Sequence, residues 1–240
     1  MTERKILITG ASRGLGLAIA NRLSKEYTLI LHATRKESFT SAIDNKHHVL
    51  CADLSDPVEL ADFCKRLKKE HNDLYGVINN AGVTFDTSLV YQPERDIDKM
   101  LNVNLKAPIM ICKAVMKQFL LNKTGVIVNV SSVVGEIGNA FQAVYSATKA
   151  GLMAMTKSLA REVSALSEEH SIRILSIAPG FIETDMTDAI PENEKQKVLK
   201  AIPANRFGNA DEVAEFVAFL VSDKASYING TNLNINGGIL

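Results

Sequence analysis

Cysteine is scarce in this 240-residue chain: only Cys51, Cys64 and Cys112 occur, an odd number with no C-x-x-C spacing. That excludes a disulfide framework and reads as three reduced thiols in an intracellular compartment, each acting as a small buried hydrophobe. A charge excess is missing as well, since Lys+Arg and Asp+Glu both count 27. No overall electrostatic reason remains to expect a nucleic acid or an anionic membrane as partner. Long apolar runs are absent. The opening MTERKILITG passes from charged residues into an apolar stretch too brief for a signal peptide core or a membrane span, so the expected compartment is the cytoplasm. The six prolines are scattered, and no Pro/Gly-rich linker, internal repeat or low-complexity tract divides the chain. With 46% apolar and 22% charged residues, disorder and collagen-like structure are excluded too. No metal is expected.

What the chain does have is a recurring pattern of short Ile/Val/Leu-rich runs, each followed by a longer segment with helical spacing. The runs Lys5–Thr9, Thr28–Ala33, His48–Ala52, Gly76–Asn79, Val126–Ser131, Arg173–Ala178 and Thr231–Ile235 are almost continuously apolar, as parallel strands covered on both faces require. Between them, helices are expected near Gly14–Glu26, Pro57–His71, Arg95–Leu121, Ala143–Glu168 and Asp211–Ser222. The alternation predicts an α/β fold: a single-domain, Rossmann-type doubly wound architecture with a seven-stranded parallel sheet and helices on both faces. Ligands of such a sheet gather at the carboxyl ends of its strands. One stretch breaks the alternation. The excursion from Phe181 to Phe207 is long for a connection in a compact domain, and it is expected to be a substrate lid or a surface insertion without a role.

After the first strand, TGASRGLG (Thr9 to Gly16) leads into an apolar-periodic helix. Gly10 permits a tight turn, Gly14 lets the backbone approach a pyrophosphate, and Gly16 allows helix and strand to pack closely. The helix start then offers free N–H groups and partial positive charge to phosphates. The spacing is GxxxGxG, not GxGxxG. At the end of the second strand, in LHATRKES, His32, Ala33 and Thr34 supply no acid for a ribose hydroxyl. Arg35 and Lys36 follow Thr34 at once, and Arg13 lies in the glycine turn, which favours a 2′-phosphate and hence NADPH/NADP over NADH. Glu37 can be read as the acid, but more naturally begins the next short helix; Arg35 and Lys36 can also be a solvated turn. Asp53 is placed to accept from an adenine amino group or to cap a helix, for which Asp56, directly before Pro57, is the better candidate. In NNAG, Asn79 to Gly82, the two side-chain amides can tie neighbouring strands together as well as touch a ribose.

Tyr145 and Lys149, in VYSATKAG, stand at i and i+4 and share one helix face. A neighbouring ammonium favours the phenolate, so the tyrosine pKa is expected to fall from near 10 towards a range useful for acid–base catalysis. Five tyrosines and 27 basic residues give about 0.6 such pairs by chance, so the spacing alone decides little. Two further features point the same way. VNVSSVVG puts Ser131 and Ser132 at the carboxyl edge of the fifth strand, and LNVNLKAP sets Asn104 four residues before Pro108, whose missing N–H leaves a carbonyl free for water.

In their order, TGASRGLG, NNAG, NVNL, SSVVG, YSATK and APGFIETDM resemble the short-chain dehydrogenase/reductase family, with similarity running on to INGTNLNINGG. Within it, AREV, PGFIETDMT, IPANRFGNADEVAEFVAFL and the final NGG are most similar to the β-ketoacyl-acyl-carrier-protein reductases. The resemblance implies an NADPH-dependent reduction of a 3-oxoacyl thioester, carried on acyl carrier protein, in fatty-acid or polyketide-type synthesis. It also implies that Tyr145 donates the proton and Ser132, rather than Ser131, holds the carbonyl oxygen. Lys149 would bind the nicotinamide ribose and lower the tyrosine pKa, while Asn104 would position a water in a relay behind the lysine. The dinucleotide would touch Gly10, Ser12, Arg13, Gly14, Leu15 and Gly16 in the first turn. It would then meet Thr34 and Arg35 after the second strand, Asp53 and Leu54 after the third, and Asn80, Ala81 and Gly82 after the fourth. Pro179, Gly180, Ile182 and Thr184 would lie along the nicotinamide, with Thr184 reaching its carboxamide. Members of this kind are homotetramers built on the long helices and the C-terminal strand region.

One departure bears on the partner. After AREV this chain reads SALSEEHS, and Glu168 and Glu169 would repel an acidic carrier, although Lys123 matches a basic docking position. An alternative substrate is therefore a free ketone or alcohol. A non-catalytic nucleotide-binding regulatory protein is the least favoured reading, because the tyrosine, lysine and serine set is complete.

Overall fold

The computed structural model describes residues 4–39, 47–183 and 192–239. Seven strands, β1 (Lys5–Ile8), β2 (Thr28–Ala33), β3 (His48–Cys51), β4 (Leu74–Asn79), β5 (Thr124–Val130), β6 (Ser171–Pro179) and β7 (Asn232–Ile235), form one sheet in the order β3-β2-β1-β4-β5-β6-β7. Every pairing is parallel. The predicted seven-stranded, doubly wound sheet is therefore the observed one. The winding direction reverses between β1 and β4, and it is there that such a sheet opens a crevice above its carboxyl edge.

The helices are α1 (Gly14–Leu23), α2 (Pro57–Glu70), α3 (Glu94–Leu101), α4 (Ala107–Asn122), α5 (Val134–Ile137), α6 (Ala143–Leu166), α7 (Glu192–Ala201) and α8 (Ala210–Val221). On one face of the sheet, α1 and α8 bury Ile19, Leu23, Val213 and Val217 against Ile6, Ile8 and Val128. On the other, α2 and α4 bury Leu60, Phe63, Ile111 and Phe119 against Leu7, Val77 and Ile127. Continuous apolar strands thus have cover on both sides, as their composition requires. The edge strand β7 departs from this: none of its residues is fully buried, because only β6 flanks it.

Local chemistry fixes the helix ends. Asp56 caps α2, accepting from the N–H groups of Val58 and Glu59 at 2.7 and 3.0 Å. At the other end of α8, the buried Arg173 guanidinium donates to the carbonyls of Val221 and Ser222 at 3.3 and 3.1 Å, satisfying groups that the helix leaves open. The helix expected over Arg95–Leu121 is broken: α3 and α4 are joined by a π turn over Asn102–Lys106. Pro108, just inside α4, has no N–H to continue the regular ladder, and such single turns often mark functional sites. The ends of the 181–207 excursion are pinned together, with Gly208 N donating to Phe181 O and Glu183 N donating to Gly208 O, both at 2.9 Å.

Candidate active site

The first turn is built around backbone crowding. Gly10 has φ +65°, and a Cβ there would lie 3.0 Å from Ala81 Cα, while one on Gly16 would lie 2.0 Å from Gly10 O. The turn is buttressed from below. His32, wholly inside β2, accepts from Gly10 N through Nδ1 at 3.1 Å and pairs through Nε2 with Ala52 O at 3.0 Å. Burial lowers its pKa, so the ring is neutral and serves as a strut. Asn80 Nδ2 donates to Thr9 O and Gly10 O at 3.0 and 3.2 Å, completing the scaffold. Above it, α1 begins at Arg13 with no side-chain cap, which leaves its first N–H groups to an anion. A cradle that admits no side chain, beneath an uncapped helix start, fits a dinucleotide pyrophosphate.

The remaining cofactor positions divide into two groups. Ser12, Arg13, Gly14, Leu15, Thr34 and Arg35 are exposed or half-buried around the turn, and Glu37 lies in a short 3₁₀ turn, Lys36–Ser38, as its alternative reading had it. Ala81 and Gly82 line the space between the turn and Lys149, since a Cβ on Gly82 would stand 3.4 Å from Lys149 Nζ. Leu54 and Ile182, by contrast, send their side chains into the core, so any contact they make with a ligand is through the main chain. Asp53 accepts from Ser55 N and Oγ at 2.9 and 2.6 Å, which holds its carboxyl below the usual range. Pro179 ends β6, Gly180 N donates to Ile235 O at 3.0 Å, and Thr184 lies outside the described residues.

The four catalytic candidates converge at the carboxyl edge of β5. Lys149 is buried on α6, and its Nζ donates to the carbonyl of Val130 at 2.8 Å. Ser131 is buried and donates to Lys149 O at 2.8 Å, so it is a tie between strand and helix. Ser132 is half-buried and lies near the Tyr145 phenol, whose proton affinity it lowers. Asn104, fully buried in the π turn, accepts from Val83 N and donates to Val83 O, both at 2.8 Å, and also donates to Thr148 Oγ1 at 3.2 Å. Its amide locks the segment after NNAG to α6.

The pKa expectation is corrected. Burial pushes the Tyr145 phenol up to about 12, Asp86 adds to the rise, and Ser132 opposes it. Burial also lowers Lys149 to about 8. Lys149 therefore loses its own proton at lower pH than the Tyr145 phenol does. Tyr145 keeps its proton at neutral pH.

Several contributors carried no sequence signal. Asp86 accepts from Gln142 Nε2 at 2.7 Å and from the Thr84 hydroxyl, and Thr87 N donates to Phe141 O at 3.0 Å. These contacts tie the loop after β4 to the loop before α6, bringing together residues more than fifty positions apart. Below the site, Asn79 Nδ2 donates to Asn129 Oδ1 at 2.8 Å, and Asn129 Nδ2 to Thr156 Oγ1 at 2.9 Å, linking β4, β5 and α6. Lys123 is not brought to the site. It precedes β5 at the end opposite Ser132, separated from it by the whole strand, which alone spans about 20 Å. Its Nζ stands 3.9 Å from Glu169 Oε2.

Comparison with known proteins places these features in context. A family model described as enoyl-(acyl carrier protein) reductase matches residues 10–240. The 3-oxoacyl-[acyl-carrier-protein] reductase FabG of Escherichia coli strain K12 is 38% identical over 242 residues, covering 99% of this chain and 98% of that protein. Proteins of the same name from Rickettsia conorii and Staphylococcus aureus strain Mu50 are each 38% identical over 244 residues, covering 98% of each relative and 100% and 98% of this chain respectively.

Proposed function

The chain belongs to the short-chain dehydrogenase/reductase family, and on that premise we propose that it reduces the 3-oxo group of an acyl thioester, carried on acyl carrier protein, to the 3-hydroxyacyl thioester with NADPH. The reaction belongs to fatty-acid or polyketide-type synthesis. The observation that carries this reading is the convergence of Ser132 and Tyr145 beside the buried Lys149, whose Nζ stands 5.6 Å from the centre of the Tyr145 ring. Two converging hydroxyl donors suit an oxygen that gathers negative charge, which is the fate of a ketone under reduction.

NADPH, when bound, supplies the hydride. The chain does the rest. Ser132 holds the ketone oxygen, and Tyr145 gives its proton to the alkoxide, a base strong enough to take it from a phenol near pKa 12. Lys149, held by the Val130 carbonyl, faces the space lined by Gly82, where a ribose hydroxyl would lie. Arg13 and Arg35 stand exposed where a 2′-phosphate would lie. Asn104 fixes the floor behind the lysine. The 181–207 segment serves as the lid over the substrate, supported by the closure of its two ends on each other.

The same reading makes the protein a cytoplasmic homotetramer assembled on the helices of residues 94–122 and 143–166 and on the C-terminal strand. No helix among the described residues is long and apolar enough to cross a membrane. A second reading, a free ketone or alcohol as substrate, is favoured by one observation: Lys123, the basic docking candidate, faces Glu169. Steady-state NADPH oxidation on carrier-bound, coenzyme A-bound and free carbonyl substrates separates the two. Tyr145→Phe should lower kcat by about 10²- to 10⁴-fold while NADPH binding persists, and unchanged turnover would refute the assignment.

A further inference from the structure

Phe141 has φ +66°, yet its side chain is 65% exposed. It occupies the third position of a turn closed by Gln142 N donating to Asn139 O at 3.2 Å, a place where glycine or asparagine is favoured. Two other non-glycine residues among those described have positive φ. One is an asparagine, Asn205, and the other, Lys123, closes the end of α4. Phe141 has neither excuse, and no burial within the chain compensates a bulky side chain in this conformation. Strain of this sort persists where the surroundings over-determine it. Here the surroundings are visible: the Thr87–Phe141 and Asp86–Gln142 hydrogen bonds clamp the turn to the loop across the cleft.

The clamp fixes an aromatic ring one helical turn before Tyr145. Two more large apolar side chains close in sequence to the same anchors are exposed. Ile137, 54% exposed, lies like Phe141 between Ser132 and Tyr145, and Leu89, 60% exposed, follows the Thr87 anchor by two residues. Apolar surface held at fixed positions at the mouth of a polar catalytic pair needs an apolar cover. Resting on the reading given above, the cover is the part of the substrate that extends beyond its reacting carbonyl. We propose that Phe141, flanked by Ile137 and Leu89, is the platform on which the acyl chain lies, and that it makes the enzyme selective for 3-oxoacyl thioesters longer than four carbons.

The test compares wild type with Phe141→Gly and Phe141→Leu on coenzyme A thioesters of 3-oxobutanoate and 3-oxododecanoate, together with their melting temperatures and oligomeric states. Glycine accepts the turn without strain, so this variant folds at least as stably as wild type. In it, the ratio of kcat/KM for the twelve-carbon over the four-carbon substrate should fall roughly tenfold, mainly through KM, because the apolar contact is lost. Phe141→Leu, which keeps an apolar side chain, should retain most of the ratio. An unchanged ratio in Phe141→Gly overturns the platform. So does a change of oligomeric state without a change of ratio, which would mean that a second copy of the chain covers the ring. If wild type reduces neither thioester, the parent reading fails and this one with it. Wild-type turnover accompanied by an unaltered ratio sinks the platform alone.

Discussion

Ser131 and Lys149 are tied twice at the carboxyl edge of the sheet: the serine hydroxyl donates to the lysine carbonyl at 2.8 Å, and the lysine ammonium donates back to the carbonyl of the residue before that serine, also at 2.8 Å. The two bonds run in opposite directions between β5 and α6, so the strand end can neither slide nor rotate against the helix that carries Tyr145. Replacing Ser131 by Ala should cost about 1 kcal/mol of stability and lower kcat about 3- to 10-fold through misplacement. Replacing Ser132 by Ala should leave stability nearly unchanged and lower kcat about 10²- to 10³-fold. Denaturant unfolding set beside steady-state rates for the two variants checks this, and equal effects on both quantities would contradict it.

Lys149 illustrates a cost that the fold accepts for the sake of the site. Its pKa falls from 10.5 to about 8 on burial, which at neutral pH corresponds to roughly 3 kcal/mol of destabilisation. For a base with a lowered folded pKa, that penalty is complete below about pH 8 and is relieved as pH rises towards 10.5, where the unfolded lysine also loses its proton. Lys149→Met should therefore be inactive yet as stable as wild type or more so at pH 7, and the gap should close between pH 8 and 10.5. Thermal melts across that range supply the measurement.

Asp86 sits across the cleft from Tyr145 and holds the phenol pKa up. Asp86→Asn removes that charge while leaving a group that can still accept from Gln142, so the phenol should ionise at lower pH than in wild type. Ultraviolet titration of tyrosinate, taken as the difference from the same protein carrying Tyr145→Phe, reads the shift directly. A shift upward, or none, would remove Asp86 from the site.

Cofactor choice is predicted to rest on Arg35, exposed just past β2. Arg35→Ala should raise KM for NADPH roughly tenfold and change KM for NADH little, since a charge-assisted contact with the 2′-phosphate is what is lost. Equal changes for both dinucleotides would argue that the arginine is only a solvated turn residue.

Much of this was legible beforehand. The seven strand positions, the glycine turn after β1, the Asp56 cap and the shared helix of Tyr145 and Lys149 all follow from local patterns, because continuous apolar runs, turn glycines and i,i+4 spacing are properties of neighbouring residues. The π turn at Asn102–Lys106 was not legible, since a helix-period pattern does not register one extra residue in a turn. Nor was the role of His32, which the end of β2 offers only as a residue that is not an acid; its strut beneath Gly10 appears only when β1, β2 and β3 lie side by side.

By itself, then, the order of residues determined the parallel sheet and the glycine turn at its cofactor end. Tertiary structure alone decided the proton affinities of Tyr145 and Lys149, because desolvation depends on what the rest of the chain packs around a group: it raised the phenol, lowered the amine and reversed the expected direction for Tyr145. It also decided the shape of the cleft's mouth, where Asp86 meets Gln142 and Phe141 is held out to solvent, since contacts between loops far apart in the chain leave no periodic trace in either one.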